Sequence, residues 1–202
     1  VPGRTALEPV LGREVREVVE QDISLPRIYL GFRIPPYGEE GHYPAVVAAH
    51  ALAGGKASVL YRRLVRERRL AQDVAAYAFP IVLGAAILVV WATARPGVAP
   101  EALESALSAE LAGLAQASAA EVERAVSLIE ARQLQDLQRV DERADLFSMY
   151  TMLFDDPERI HTELDRVRGV TPEALRAFAA RFLRPDNRAV LWYLPRPGRR
   201  TP

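Results

Sequence analysis

From Val74 to Ala92 the chain runs for about 19 residues without a charged side chain, long enough for a helix to cross a bilayer. Pro80 and Gly84 interrupt this run on either side of Ile81-Val82-Leu83. Its second part, Ala85-Ala86-Ile87-Leu88-Val89-Val90-Trp91, is rich in β-branched and aromatic residues, which suit a pleated surface better than a helix. Two strands joined between Pro80 and Gly84 are therefore expected in place of a membrane span. A hairpin with so few polar positions has to be covered on at least one face, so the rest of the chain must supply helices.

It does. Strands are predicted at 14–20 and 27–34, the second stopped by Pro35-Pro36-Tyr37-Gly38. A helix of small apolar residues follows at 43–53, closed by Gly54-Gly55 as a left-handed cap. Ala57 or Ser58 caps the next helix, which runs to about Arg68 with Leu60 and Leu64 inward, flanked by Tyr61 and Val65. Beyond the hairpin, Pro100 takes the first position of a helix reaching about Gln116, striped by Leu103, Leu107, Leu111 and Leu114. Ser118-Ala119-Ala120-Glu121 is a capping box for a long helix toward Phe154, and its apolar pattern weakens at 139–142, which predicts a break there. A short amphipathic helix at 158–167, a helix capped by Thr171 and a strand at 189–194 complete the order. Strands joined by short turns pair antiparallel. The predicted class is thus α+β, with two layers: a mostly antiparallel sheet of about five strands and helices packed on one face.

The 202 residues are read as one domain over 1–195 with a Pro/Gly/Arg-rich tail or linker at 196–202. The opening Val1-Pro2-Gly3-Arg4 and the Pro-Arg-rich close suggest a piece of a longer polypeptide. Acidic and basic residues are equal, at 26 each, so no global charge draws the chain to nucleic acid or an anionic membrane. The lack of cysteine removes disulfides and Cys-ligated zinc, and leaves cytoplasm and cell envelope equally open.

A hydrolytic metal site needs His or carboxylate ligands at fixed spacing on a rigid element. The histidines are His42 in a Gly-flanked loop, His50 in the small-residue helix and His161 on the short amphipathic helix. His161 and Asp165 lie one turn apart, but such pairs usually sit on a solvated face. Gly54-Gly55-Lys56-Ala57-Ser58 lacks the glycine spacing and the preceding strand of a phosphate loop. No metal or catalytic residue is assigned. The dense arginines Arg62, Arg63, Arg66, Arg68 and Arg69 read as a solvated helix face or as forks for a peptide carboxylate or carbonyl. No aromatic platform accompanies them for nucleic acid.

Gly54-Gly55, then Ala57-Ser58-Val59-Leu60-Tyr61, then Leu64 and Leu70-Ala71 resemble a pattern of the pitrilysin/insulinase-type zinc metallopeptidases, which include the mitochondrial processing peptidases. Leu25-Pro26-Arg27-Ile28-Tyr29-Leu30-Gly31-Phe32, Ala92-Thr93-Ala94-Arg95-Pro96-Gly97, Arg143-Ala144, Val170-Thr171-Pro172-Glu173-Ala174-Leu175 and Pro185-Asp186-Asn187-Arg188-Ala189-Val190 match in the same order. The resemblance is to the second, zinc-free half of the repeated unit. It implies a non-catalytic domain that encloses a peptide substrate and adds it as a strand to a sheet edge. Zinc is then expected in a catalytic partner domain, in the same or another chain, and no cofactor in this one. Family members offer an Arg and a Tyr seven residues apart here; this chain has Val65 and Gln72 at those positions. The implied substrate-binding residues are therefore Arg66, Arg68, Arg69 and Gln72. The alternatives are an assembly subunit with no part in proteolysis, and an independent hydrolase with a site of unfamiliar pattern; a second copy, as a homodimer, is a further expected partner.

Overall fold

The structure is a computed structural model that describes residues 9–196. The segments Val1-Pro2-Gly3-Arg4 and 197–202, the bulk of the expected tail, lie outside the described residues. Strands β1 (Val15–Gln21) and β2 (Arg27–Ile34) come first, followed by helix α1 (Tyr43–Ala53). The uncharged run gives β3 (Ala71–Phe79) and β4 (Ala86–Ala94) as an antiparallel hairpin. Among the described residues, no helix is long and apolar enough to cross a membrane. Then come α2 (Pro100–Gly113), α3 (Ala119–Gln138), α4 (Val140–Phe154), α5 (Arg159–Arg168), α6 (Pro172–Phe182) and β5 (Arg188–Pro195).

The five strands lie in the order β1-β5-β2-β4-β3. Pairing is antiparallel except between β1 and β5, which run parallel. β5 inserts between the first two strands, so these sequence neighbours do not pair, contrary to the short-turn expectation. Charged side chains tie the β1–β5 edge together and to α2. Arg188 at the start of β5 donates to Glu14 (Nε, 2.8 Å), and Arg16 of β1 forks onto Glu104 of α2 at 2.6 and 2.9 Å. Trp192 Nε1 donates to the same Glu104 at 2.9 Å. The Arg16 hydrogen bond, the largest influence, holds the Glu104 carboxyl below its ordinary value, opposed by burial.

Alternation along the strands builds one covered face. Ile28, Leu30, Phe32 and Ile34 of β2, Leu88 and Val90 of β4, and Val190 and Trp192 of β5 are buried, with α1, α2 and α6 among the helices packed on this side. The opposite face carries Tyr29, Trp91 and Tyr193, with Tyr29 stacked on Trp91 at 6.2 Å and edge-on to Tyr193 at 5.8 Å. Toward the hairpin tip it continues through Tyr77 and Phe79, both exposed.

Local signals act as their chemistry dictates. Ser118 and Glu121 form the reciprocal capping box of α3, and Thr171 accepts from the Ala174 amide at the start of α6. The chain breaks between α3 and α4 at Arg139, whose ψ of 129° is extended. The two glycines after α1 are needed for different reasons: Gly55 has φ +82°, whereas a Cβ on Gly54 would meet the His50 carbonyl oxygen at 2.4 Å. Ser58 departs from expectation. Its carbonyl accepts from the Arg62 amide at 3.0 Å, as that of a residue opening the next helix should, but its hydroxyl donates to the Gly55 carbonyl at 2.7 Å and clamps the turn in place of capping an amide.

Helix α5 is anchored by a buried charge cluster. Arg159 Nε donates to Glu163 at 2.7 Å, with both side chains under a tenth exposed. Tyr43 of α1 donates its hydroxyl hydrogen to Glu163 at 2.9 Å and accepts from Arg159 Nη2 at 2.7 Å. The guanidinium sits 3.8 Å above the Phe154 ring. Burial first, then the Glu163 charge, pushes the Tyr43 phenol up and keeps it neutral.

Candidate functional site

At the end of the sheet where β2 and β3 begin and β4 ends, two neighbouring depressions open. Between α1 and β3 the chain makes a turn at Tyr61–Glu67 wider than an α-helix. Its closing hydrogen bonds reach five and six residues back, from Arg68 N–H to the Arg63 carbonyl (2.9 Å) and from Leu70 N–H to the Leu64 carbonyl (2.8 Å). Such π-type turns are uncommon and concentrate at functional positions. Arg69 leaves the turn with φ 51°, a left-handed conformation that costs a non-glycine residue energy.

Tyr61, Val65, Arg66, Arg69 and Arg95 line the first depression, of about 610 Å³. Arg95, just after β4, fixes its floor: Nε donates to the Ala71 carbonyl at 3.1 Å and its amide to the Leu70 carbonyl at 3.0 Å. Among the described residues, no carboxylate lines it. The nearby acids are taken elsewhere, Glu67 by Arg62 at 3.9 Å and Glu110 by Arg63 at 2.9 Å.

The second depression, about 640 Å³, includes Gln21, Arg27, Tyr29, Gln72, Asp73, Thr93 and Tyr193 in its lining. Sheet register places Arg27, Thr93 and Asp73 in one row on adjacent strands. Arg27 Nε donates to the Thr93 hydroxyl at 2.9 Å, and that hydroxyl donates to Asp73 at 3.1 Å. A β-bulge between Ala71 and Asp73 leaves Gln72 without a partner residue in the ladder, a device that re-aims side chains.

The structure therefore brings Arg66 and Arg69 together and puts Gln72 in the adjoining depression. Arg68 is exposed and lines neither. Arg27, Asp73, Thr93 and Arg95 were not singled out from sequence, since only strand register gathers them. The histidines do not converge. His42 is buried with Nδ1 donating to the Pro35 carbonyl at 3.0 Å, and His50 Nδ1 bonds the Val46 carbonyl at 3.0 Å. His161 is exposed, 3.9 Å from Glu158. Among the described residues, no group of three or more His, Asp or Glu is placed to hold a metal ion, so the donor set does not fit a hydrolytic zinc.

A five-stranded mixed sheet with helices packed on one face defines an α+β domain. The chain belongs to the family described as the peptidase M16 inactive domain, which matches residues 2–129. A protease from Helicobacter pylori has the same fold, with a TM-score of 0.84 at 20% identity over 94% of this chain and 46% of that one. The chain thus spans about half the length of that relative. The inactive peptidase domain of a putative zinc protease from Bordetella parapertussis superposes with a TM-score of 0.78 at 22% identity, covering 91% of this chain and 98% of the other. A chain of complex III2 from Candida albicans gives 0.76 at 15% identity, over 91% of this chain and 46% of that one. Comparison with curated protein sequences returns no match.

Proposed function

We propose that this domain is the substrate-enclosing, zinc-free half of a zinc metallopeptidase that acts on peptides. The zinc ion belongs to a catalytic domain in the same or a partner chain. The observation that carries this reading is the gathering of uncommitted polar groups, Arg66, Arg69 and Gln72, at one end of the sheet. They adjoin β3, which among the described residues pairs only with β4 and so keeps one edge free. An extended peptide adding to that edge gains sequence-tolerant main-chain hydrogen bonds, and the arginines supply forked donors beside it. Arg68, exposed on the same turn, would contact substrate only near the entrance to such a chamber.

The test is to mix this chain with its zinc-bearing counterpart and zinc, then follow a mixed peptide pool by mass spectrometry. Cleavage is expected only with both components. Chelator-sensitive cleavage by this chain alone would refute the proposal. The second reading, an assembly subunit without proteolytic role, draws on the fold shared with the Candida albicans complex III2 chain. A His-x-x-Glu-His sequence in the adjoining polypeptide supports the peptidase; its absence supports the scaffold. Light scattering of the isolated chain separates a homodimer from a monomer.

A further inference from the structure

The depression beside Val65 has a chemistry of its own. Three guanidinium groups, those of Arg66, Arg69 and Arg95, line it together with a tyrosine and a valine. The first two make no ion pair within 4.0 Å among the described residues, because Glu67 and Glu110 face Arg62 and Arg63. The backbone beside it is strained. The turn is widened to the π form, and Arg69, the residue that follows it by two positions, is held at φ 51° where glycine would sit without strain. Arg95 is fixed by bonds to two backbone carbonyls around the same turn, at 3.1 and 3.4 Å, the second long, so one of the three cations is already oriented before any ligand arrives.

We propose that this depression is a carboxylate subsite, in which Arg66 and Arg69 fork onto an acidic group of the bound peptide beside Arg95. Val65 and Tyr61 then supply an apolar wall for the carbon atoms next to that carboxylate. The inference rests on the reading of the domain as peptide-enclosing and narrows the substrate to peptides bearing an acid at a set distance from the β3 edge. A carboxylate comes from a peptide C-terminus or from an Asp or Glu side chain, and both present the same two oxygens to a guanidinium.

The experiment is calorimetric titration of the chain with three N-acetylated hexapeptides of one Val/Thr/Ala sequence. The first ends in a free carboxylate, the second in a carboxamide, and the third in a carboxamide with one internal Glu. The carboxamide without Glu is expected to bind at least about tenfold more weakly than the better acidic peptide, as loss of a charge-assisted hydrogen bond implies. Which acidic peptide keeps its affinity identifies the source. Arg66→Ala and Arg69→Gly should each weaken the acidic peptide roughly tenfold and leave the carboxamide unchanged. Arg181→Ala, on exposed α6 surface, should change neither. Binding of the acidic peptide should also weaken as salt is raised. Equal binding of acid and carboxamide, no response to either arginine substitution, or no binding by any peptide would each overturn the proposal. Carboxylate discrimination without reconstituted cleavage would sink only the peptidase reading, and cleavage without discrimination would sink only this one.

Discussion

Arginine is used in opposite ways at the two sides of this molecule. Beneath α5, Arg159 is buried and every strong contact within its reach is made, to Glu163, to Tyr43 and to the Phe154 ring. At the sheet end, Arg66 and Arg69 are exposed and, among the described residues, share their depression with no acid. The difference follows from solvation. A guanidinium without water must be paired where it stands, whereas one in water stays charged and available without a partner. The first kind holds α1 to α5; the second leaves binding capacity in reserve.

Removing one buried partner is the harshest way to break this contrast. Glu163→Gln leaves Arg159 enclosed without its counter-charge and should cost about 3–5 kcal/mol, read from urea unfolding. Arg66→Ala should stay within about 0.5 kcal/mol of the parent. Replacing the pair together, Arg159→Met with Glu163→Leu, removes the stranded charge and should recover part of the loss, the remainder being the cost of leaving the Tyr43 hydroxyl without either partner. Similar losses at Glu163 and Arg66 would erase the distinction.

Acidification sharpens it at intermediate scale. Burial holds His42 and His50 below the ordinary value of 6.5, as neutral rings. Below about 6.5 the unfolded chain takes up protons that the native state refuses, so stability falls with pH until the native rings protonate too. The melting temperature should therefore drop between pH 7 and 5, and less steeply in His42→Asn/His50→Asn, where the amide can still donate to the Pro35 and Val46 carbonyls. Glu104, held low first by Arg16, adds a further fall below 4.5. A melting profile that stays flat between pH 7 and 5 would show that burial does not hold these two rings neutral. A small effect of opposite sign belongs to Arg69→Gly. Relief of the left-handed strain, offset by the chain entropy of glycine, should raise stability by up to about 1 kcal/mol, measured by thermal unfolding, even as the charge is lost.

Much of this architecture is legible in local sequence. Pro80 and Gly84 punctuate the β3–β4 hairpin, Ser118 and Glu121 start α3, and a weakening apolar pattern marks the break at Arg139. These signals act over a few residues. What could not be read depends on distance. Nothing in β1 names β5 as its neighbour, and nothing in Arg27, Asp73 and Thr93 shows that strand register aligns them. The widening of the Tyr61–Glu67 turn was also hidden, because Leu60 and Leu64 satisfy an ordinary helical spacing and tertiary closure decides the extra residue. Gln72 emerged through family resemblance, but the bulge that frees it from the ladder did not.

The parallel seam between β1 and β5 has a consequence for how the chain comes into being. Glu14 and Arg188 are separated by 174 positions, so the first of these five strands to leave the ribosome has no docking place until the other four have nearly all emerged. Closure of that seam is a late event with high contact order, and it should be slow relative to the hairpin and helices. A nascent chain halted before Arg188 would lose β5 and strand β1 as well, leaving β2 with a bare flank where the sheet should be continuous.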